Sequence, residues 1–129
     1  MTERTSVFSG SPYEDVFGYC RAVRVGDQIH VAGTCAPAGF SATTYDQSKA
    51  ALAVIGAALS ELGSDFSDVV RTVVYVKDIA DEAQVARAHS EIFARIRPAA
   101  TMVQVSAMLR PWHRVEIEAY AVAGAKASA

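Results

Sequence analysis

Polar and apolar positions alternate along residues 114–122, RVEIEAYAV. Arg114, Glu116 and Glu118 point one way, and Val115, Ile117 and Ala119 the other. This period of two predicts a strand with one face on a core. The wider segment 97–122 reads as two strands joined by a short turn. Upstream, Cys20 to Val25 and Gln28 to Ala32 read as a strand pair, with Gly26-Asp27 as the tight turn. The stretch Gly33 to Gly39 then leaves the second strand. Leu52, Ile55, Leu59 and Leu62 recur at helical spacing and predict a helix over 44–62, capped by Thr43 or Thr44 and ended by Gly63. Val69 to Val76 is β-branched enough for a central strand. Val85, Ala88, His89, Ile92 and Ile96 mark a second helix over 81–96, closed by Pro98.

The order is ββαβαββ in one domain over 1–129. Residues 1–18 read as an irregular arm carrying Tyr13 and Phe17, and residues 123–129 as a loose tail. Two helices of similar length can cover one face of a sheet, which gives a two-layer α+β fold. The other face must meet water, a ligand or another subunit. It carries apolar as well as charged residues, which favours another subunit. It also carries Glu116 and Glu118, and a carboxylate is expensive to bury without a partner.

Net charge is −2 without a basic stripe, which argues against nucleic acid or an anionic membrane as the main partner. The longest apolar run, Ala50 to Leu59, is far short of a membrane span. The first ten residues lack a basic-then-apolar signal pattern, so a cytoplasmic protein is expected. Cys20 and Cys35 form no CxxC pair and have only His30 nearby, so no metal site is expected; both read as reduced cysteines. The glycines of 33–39 lack phosphate-loop spacing, and no nucleotide or other cofactor is expected.

Four strings in order, VRVGDQIHVAG (23–33), DVVRTVVYVKDIAD (68–81), HSEIFARIRPAATMVQVSAM (89–108) and RVEIEAYAV (114–122), resemble the Rid family of enamine/imine deaminases, also called the YjgF family. The resemblance spans about Tyr19 to Val122. It implies a chorismate-mutase-like fold and a homotrimer whose sheets form a central barrel with ligand pockets between subunits. It also implies hydrolysis of a small imine to a 2-oxo acid and ammonia, with an arginine clamping the substrate carboxylate. That arginine belongs to a Pro-Ala-Arg-Ser/Thr pattern, which reads here Pro98-Ala99-Ala100-Thr101. Ala100 stands at the arginine position, and Met102 at the pocket position two further on. The family's water-positioning glutamate matches Glu116. Its pocket tyrosine matches Tyr19, with Tyr13 after Pro12 as a rival match, and its Ser-Gly-Gln string becomes Ala32-Gly33-Thr34. One residue is inserted near Met108, in the approach to Arg110, Pro111, Trp112 and His113.

Glu116 is therefore the catalytic candidate. Tyr19, Thr34, Ala100, Met102, Trp112 and Arg114 are the substrate-binding candidates. Arg21, Arg110 and Arg114 are substitute anion anchors if one is needed. Glu118 reads as structural, His30 as a core or interface histidine, and His89 as a satisfied, half-buried one. His113 falls on a turn of the kind that builds pocket rims, and Cys20 lies beside Tyr19. Three functions stay open: a Rid hydrolase with altered substrate choice, a tautomerase or cyclase in the same pocket, and a non-catalytic trimer that binds a metabolite.

Overall fold

The computed structural model describes residues 2–37 and 42–127. Ala38 and Gly39, at the end of the stretch read as leaving the second strand, lie outside the described residues. The elements are β1 (Arg4–Val7), α1 (Pro12–Phe17), β2 (Ala22–Val25), β3 (Gln28–Thr34), α2 (Thr44–Glu61), β4 (Val69–Val76), α3 (Glu82–Phe93), β5 (Ala99–Gln104) and β6 (Val115–Val122). They form one mixed sheet in the order β1-β2-β3-β6-β4-β5. The α+β class stands, and the ββαβαββ order is embedded in a longer one.

β2 and β3 meet at Gly26-Asp27, where Gly26 takes φ +60° as a two-residue hairpin turn requires. Thr43 caps α2, its hydroxyl accepting from the Asp46 amide at 3.1 Å. Leu52, Ile55 and Leu59 of α2 and Val85, Ala88 and Phe93 of α3 share one core with Ile29, Val31, Val74, Val115 and Ile117. Both long helices therefore cover the same face of the sheet. The opposite face carries Val23, His30, Val73, Tyr75, Glu116, Glu118 and Tyr120.

Four expectations need correction. The arm is not irregular: β1 pairs with β2, and Pro12 starts a short helix that Gly18 ends at φ +86°. β1 has only Val7 buried, so it shows no alternation to read. Segment 97–122 is not a hairpin. β5 runs parallel to β4, β6 inserts between β3 and β4, and residues 105–114 carry the chain across. Sequential strands usually pair, which is why the two runs looked like neighbours. α3 also ends at Phe93. Arg97, held before Pro98, adopts φ +54°.

The tail is not loose through Ala127. The Ala123 amide donates to Asp27 and that of Ala127 to Ser67, and Lys126 pairs with Asp65 and Asp68 at 3.1 Å each. Asp68 is buried. Burial raises its pKa, but Ser64, Lys126 and the Gly124 amide outweigh this and hold the carboxyl below its usual range. Asp68→Ala is expected to lose about 2 kcal/mol at pH 7. A depressed carboxyl stabilises fully above the unfolded pKa and loses that contribution as pH falls through the folded one. Urea unfolding at pH 7 and pH 3 should show the difference between wild type and variant shrinking in acid.

Candidate functional site

The site grows from an irregularity between β3 and β6. Val31 pairs with Ala119 and Thr34 with Ile117, so β3 carries one extra residue as a β-bulge. Bulges re-aim side chains, and glycine is common where something approaches the backbone closely. Here the close neighbour is Glu116. A Cβ added to Gly33 would lie 2.6 Å from Glu116 Oε2, so glycine is what admits the carboxylate. Just past the bulge, the Cys35 thiol donates to Glu116 Oε1 at 3.3 Å. Oε2 has no hydrogen-bond partner among the described residues.

Cys35 is a hydrogen-bond donor rather than a nucleophile. Burial and the Glu116 charge push its pKa up to about 12, against a smaller opposing pull from Arg21. At pH 8 only about one thiol in ten thousand is then ionised. Iodoacetamide labelling read by peptide mass spectrometry should find Cys35 on the order of a thousandfold slower than a free thiol. Labelling at the free-thiol rate would contradict this placement. Both cysteines are free. Cys20 is half-buried, its thiol on the Ala22 carbonyl at 3.4 Å.

His113 lies within charge range of Glu116, and Arg21 holds the bulge beside it. His113 is half-buried, and its Nδ1 has no partner among the described residues. Burial lowers its pKa, Glu116 pulls it up and Arg110 pushes it down. Arg21 donates from Nη2 to the Gly33 carbonyl at 2.7 Å and lies 5.5 Å from the centre of the Tyr19 ring. Gln47 anchors the 105–114 loop. This buried side chain donates to the Trp112 carbonyl at 3.0 Å and accepts from the Arg114 amide at 2.9 Å.

Glu118, two residues along, has a different environment. The Tyr75 hydroxyl donates to it at 2.9 Å. That bond, then burial, raises the Tyr75 pKa, while burial and then Glu118 raise that of Tyr120. Glu118 is a hydrogen-bonded sheet carboxylate. His89 shares a 2.8 Å bond with the Thr72 hydroxyl, and burial lowers its pKa. His30 is exposed, edge-on to Tyr120 at 5.5 Å.

The other predicted residues do not all converge on Glu116. Tyr19 is half-buried beside Arg21 and packs with Tyr13 and Phe17. Thr34 is fully buried, its hydroxyl on the Ala32 carbonyl at 2.7 Å. Ala100 and Met102 are in register with Thr72 and Val74, which face the helices. Within one chain they therefore lie across β4 from Glu116 and on the opposite sheet face. Trp112 and Arg114 are exposed at the end of the loop. A groove of about 670 Å³ lies under the arm on the open face, lined by Tyr19, Cys20, Val23, His30, Glu118 and Tyr120 among others. Among the described residues no cluster of three or more His, Cys, Asp or Glu could hold a metal, and no helix is long and apolar enough to cross a membrane.

The sequence reading missed Gly33, Cys35 and Gln47. A glycine inside a strand pattern was the available signal for the first; the other two depend on contacts distant in sequence.

The family model described as endoribonuclease L-PSP matches residues 12–123. The chain belongs to the Rid/YjgF family. A solved member of that family from Mycobacterium tuberculosis superposes with a TM-score of 0.88 at 42% identity, covering 93% of this chain and 99% of its own. A Streptomyces coelicolor protein described as uncharacterized is 39% identical over 120 residues, 88% of this chain and 90% of its own. Mouse 2-iminobutanoate/2-iminopropanoate deaminase is 33% identical over 116 residues, 88% of this chain and 82% of its own. The relatives that the Rid chain matches thus include imine deaminases.

Proposed function

We propose that this Rid protein hydrolyses a small reactive imine or enamine, with Glu116 orienting the attacking water. The observation that carries this reading is the Glu116 carboxylate itself. One oxygen is held by a neutral thiol, and the other rests over Gly33 with no partner among the described residues. Such a group can accept a proton from water as oxygen adds to the C=N carbon. With the imine nitrogen protonated, the C=N π pair moves onto nitrogen as the C–O bond forms; Glu116 returns its proton to that nitrogen, the C–N bond breaks with its pair leaving on ammonia, and the hydroxyl proton passes to Glu116 as the C=O bond forms. The deaminase relatives support this class of substrate.

The working unit in this reading is a homotrimer. β5 is an unpaired sheet edge with exposed Val103, and edges of that kind favour association. In this reading a neighbouring copy brings its β5 edge, with Ala100 and Met102, towards a Glu116 pocket. Light scattering should return three times the 13.7 kDa chain mass. Ala100, in place of the family arginine, would leave that wall of the pocket apolar and roomier.

The test is release of 2-oxo acid and ammonia from freshly generated 2-aminoacrylate and bulkier imino acids, with wild type and Ala100→Arg. Wild type should exceed the buffer rate on at least one imine, and Ala100→Arg should shift preference among them. Wild type at the buffer rate throughout would contradict the reading.

A further inference from the structure

The loop before β6 is pinned on every side of His113. Gln47 holds the Trp112 carbonyl and the Arg114 amide, and the His113 amide donates to the Arg110 carbonyl at 3.2 Å. From the end of β4, the Lys77 ammonium donates to the Pro111 carbonyl and its amide to the Arg114 carbonyl, each at 3.0 Å. These bonds fix the point from which the imidazole extends, and the Trp112 ring stands edge-on to it at 5.7 Å.

The fold itself does not use the ring. Its Nδ1 is buried and has no hydrogen-bond partner among the described residues. His89, a structural histidine of the same fold, shares a bond with the Thr72 hydroxyl instead. A buried polar atom without a partner calls for an explanation, and a chemical role is one. The groups around the ring are Arg110 on its own loop, Arg114 beside it, Lys77 from β4, Cys35 from the end of β3 and Glu116 from β6. Arg110 lies over the Tyr13 ring at 5.4 Å, Arg114 is exposed, and the Cys35 thiol stays neutral up to about 12. α2 presents the neutral Gln47. Glu116 is the anion of the set and favours the imidazolium, while burial first and then Arg110 oppose it.

The proposed hydrolysis leaves two proton transfers without a residue. The imine nitrogen needs a proton before water adds, and Glu116 ends the cycle protonated. We infer that His113 is the second acid/base residue of the Glu116 site, giving a proton to the imine nitrogen and recovering one from Glu116. The inference rests on the proposed hydrolysis and names its proton donor. First the imidazolium N–H bond breaks as an N–H bond forms on the imine nitrogen, and His113 becomes neutral. The steps through Glu116 follow, ending in carbonyl compound, ammonia and protonated Glu116. That proton then passes to the neutral imidazole, directly or through one water, and restores carboxylate and imidazolium. The sum is imine plus water to carbonyl compound plus ammonia, with no net proton.

The test is hydrolysis of freshly generated 2-aminoacrylate by wild type, His113→Asn and His113→Ala, with NMR titration of His113 alongside. His113→Asn should lower kcat by a factor on the order of a hundred and leave KM unchanged. Imidazole should restore His113→Ala at least tenfold. Pyrazole, the same size but too weak a base to carry the proton, should not. His113 should titrate at lower pH in Glu116→Gln than in wild type, because the carboxylate raises its pKa. A kcat within twofold of wild type in His113→Asn overturns the inference. So does equal rescue by both additives, which marks a packing role, and so does a His113 titration that Glu116→Gln leaves in place. Wild type at the buffer rate removes the hydrolase reading and this inference with it. Wild-type turnover that His113→Asn retains removes the role of His113 alone.

Discussion

Replacing Glu116 by glutamine is expected to lower kcat for imine hydrolysis by a factor on the order of a hundred or more, the usual contribution of a positioned acid/base group. The substitution is nearly isosteric. A glutamine Oε1 can still accept from the Cys35 thiol at the present 3.3 Å, and the side chain still fits over Gly33. The fold, its Tm and binding of a 2-oxo acid should therefore persist while the proton acceptor is lost. A second readout comes from the same charge. Glu116 is among the causes that push Cys35 up to about 12, after burial, so Glu116→Gln should make the thiol easier to ionise and faster to alkylate. Unchanged kcat with faster alkylation would place Glu116 where the structure has it but without a chemical role. Unchanged alkylation would dispute the contact itself.

Gln47→Leu carries the largest expected effect on stability. Gln47 lies on α2 with 1% of its surface exposed, yet its amide serves two backbone groups of the crossing loop, the Trp112 carbonyl and the Arg114 amide. Leucine keeps the volume and the helix propensity and removes both bonds. Each backbone group left without a partner costs roughly 1–3 kcal/mol, so a loss of about 3 kcal/mol is expected. In a domain of this size that lowers Tm by on the order of 10 °C. Thermal unfolding followed by circular dichroism measures it. The same loop brings His113 to Glu116, so Gln47→Leu should also reduce turnover well below the melting temperature. A shift of less than about 2 °C would mean that water replaces the glutamine at no net cost.

Periodicity carried much of the fold, and it failed where no face alternates. The β2–β3 hairpin, α2 and β4 were legible because each sets a continuous apolar face or a turn glycine in a short window. β1 was not, because Arg4–Val7 buries a single side chain. The insertion of β6 between β3 and β4 was not legible either, since consecutive extended runs carry no label of parallel or antiparallel partners. At the site, alternation placed Glu116 on the open face, where the structure also has it. Its meeting with Cys35 joins residues 81 apart and depends on a one-residue bulge, which leaves no periodic trace. Ala100 and Met102 came from a motif. A motif fixes position along the chain, not which sheet face or which subunit a side chain serves.

The most direct measurement of the central claim is a crystal structure of the protein soaked with 2-oxobutanoate. The predicted result is ligand density with its carbonyl carbon against Glu116 Oε2. Density confined to the groove between the arm and Tyr120, with Glu116 still bound only by Cys35, would contradict it.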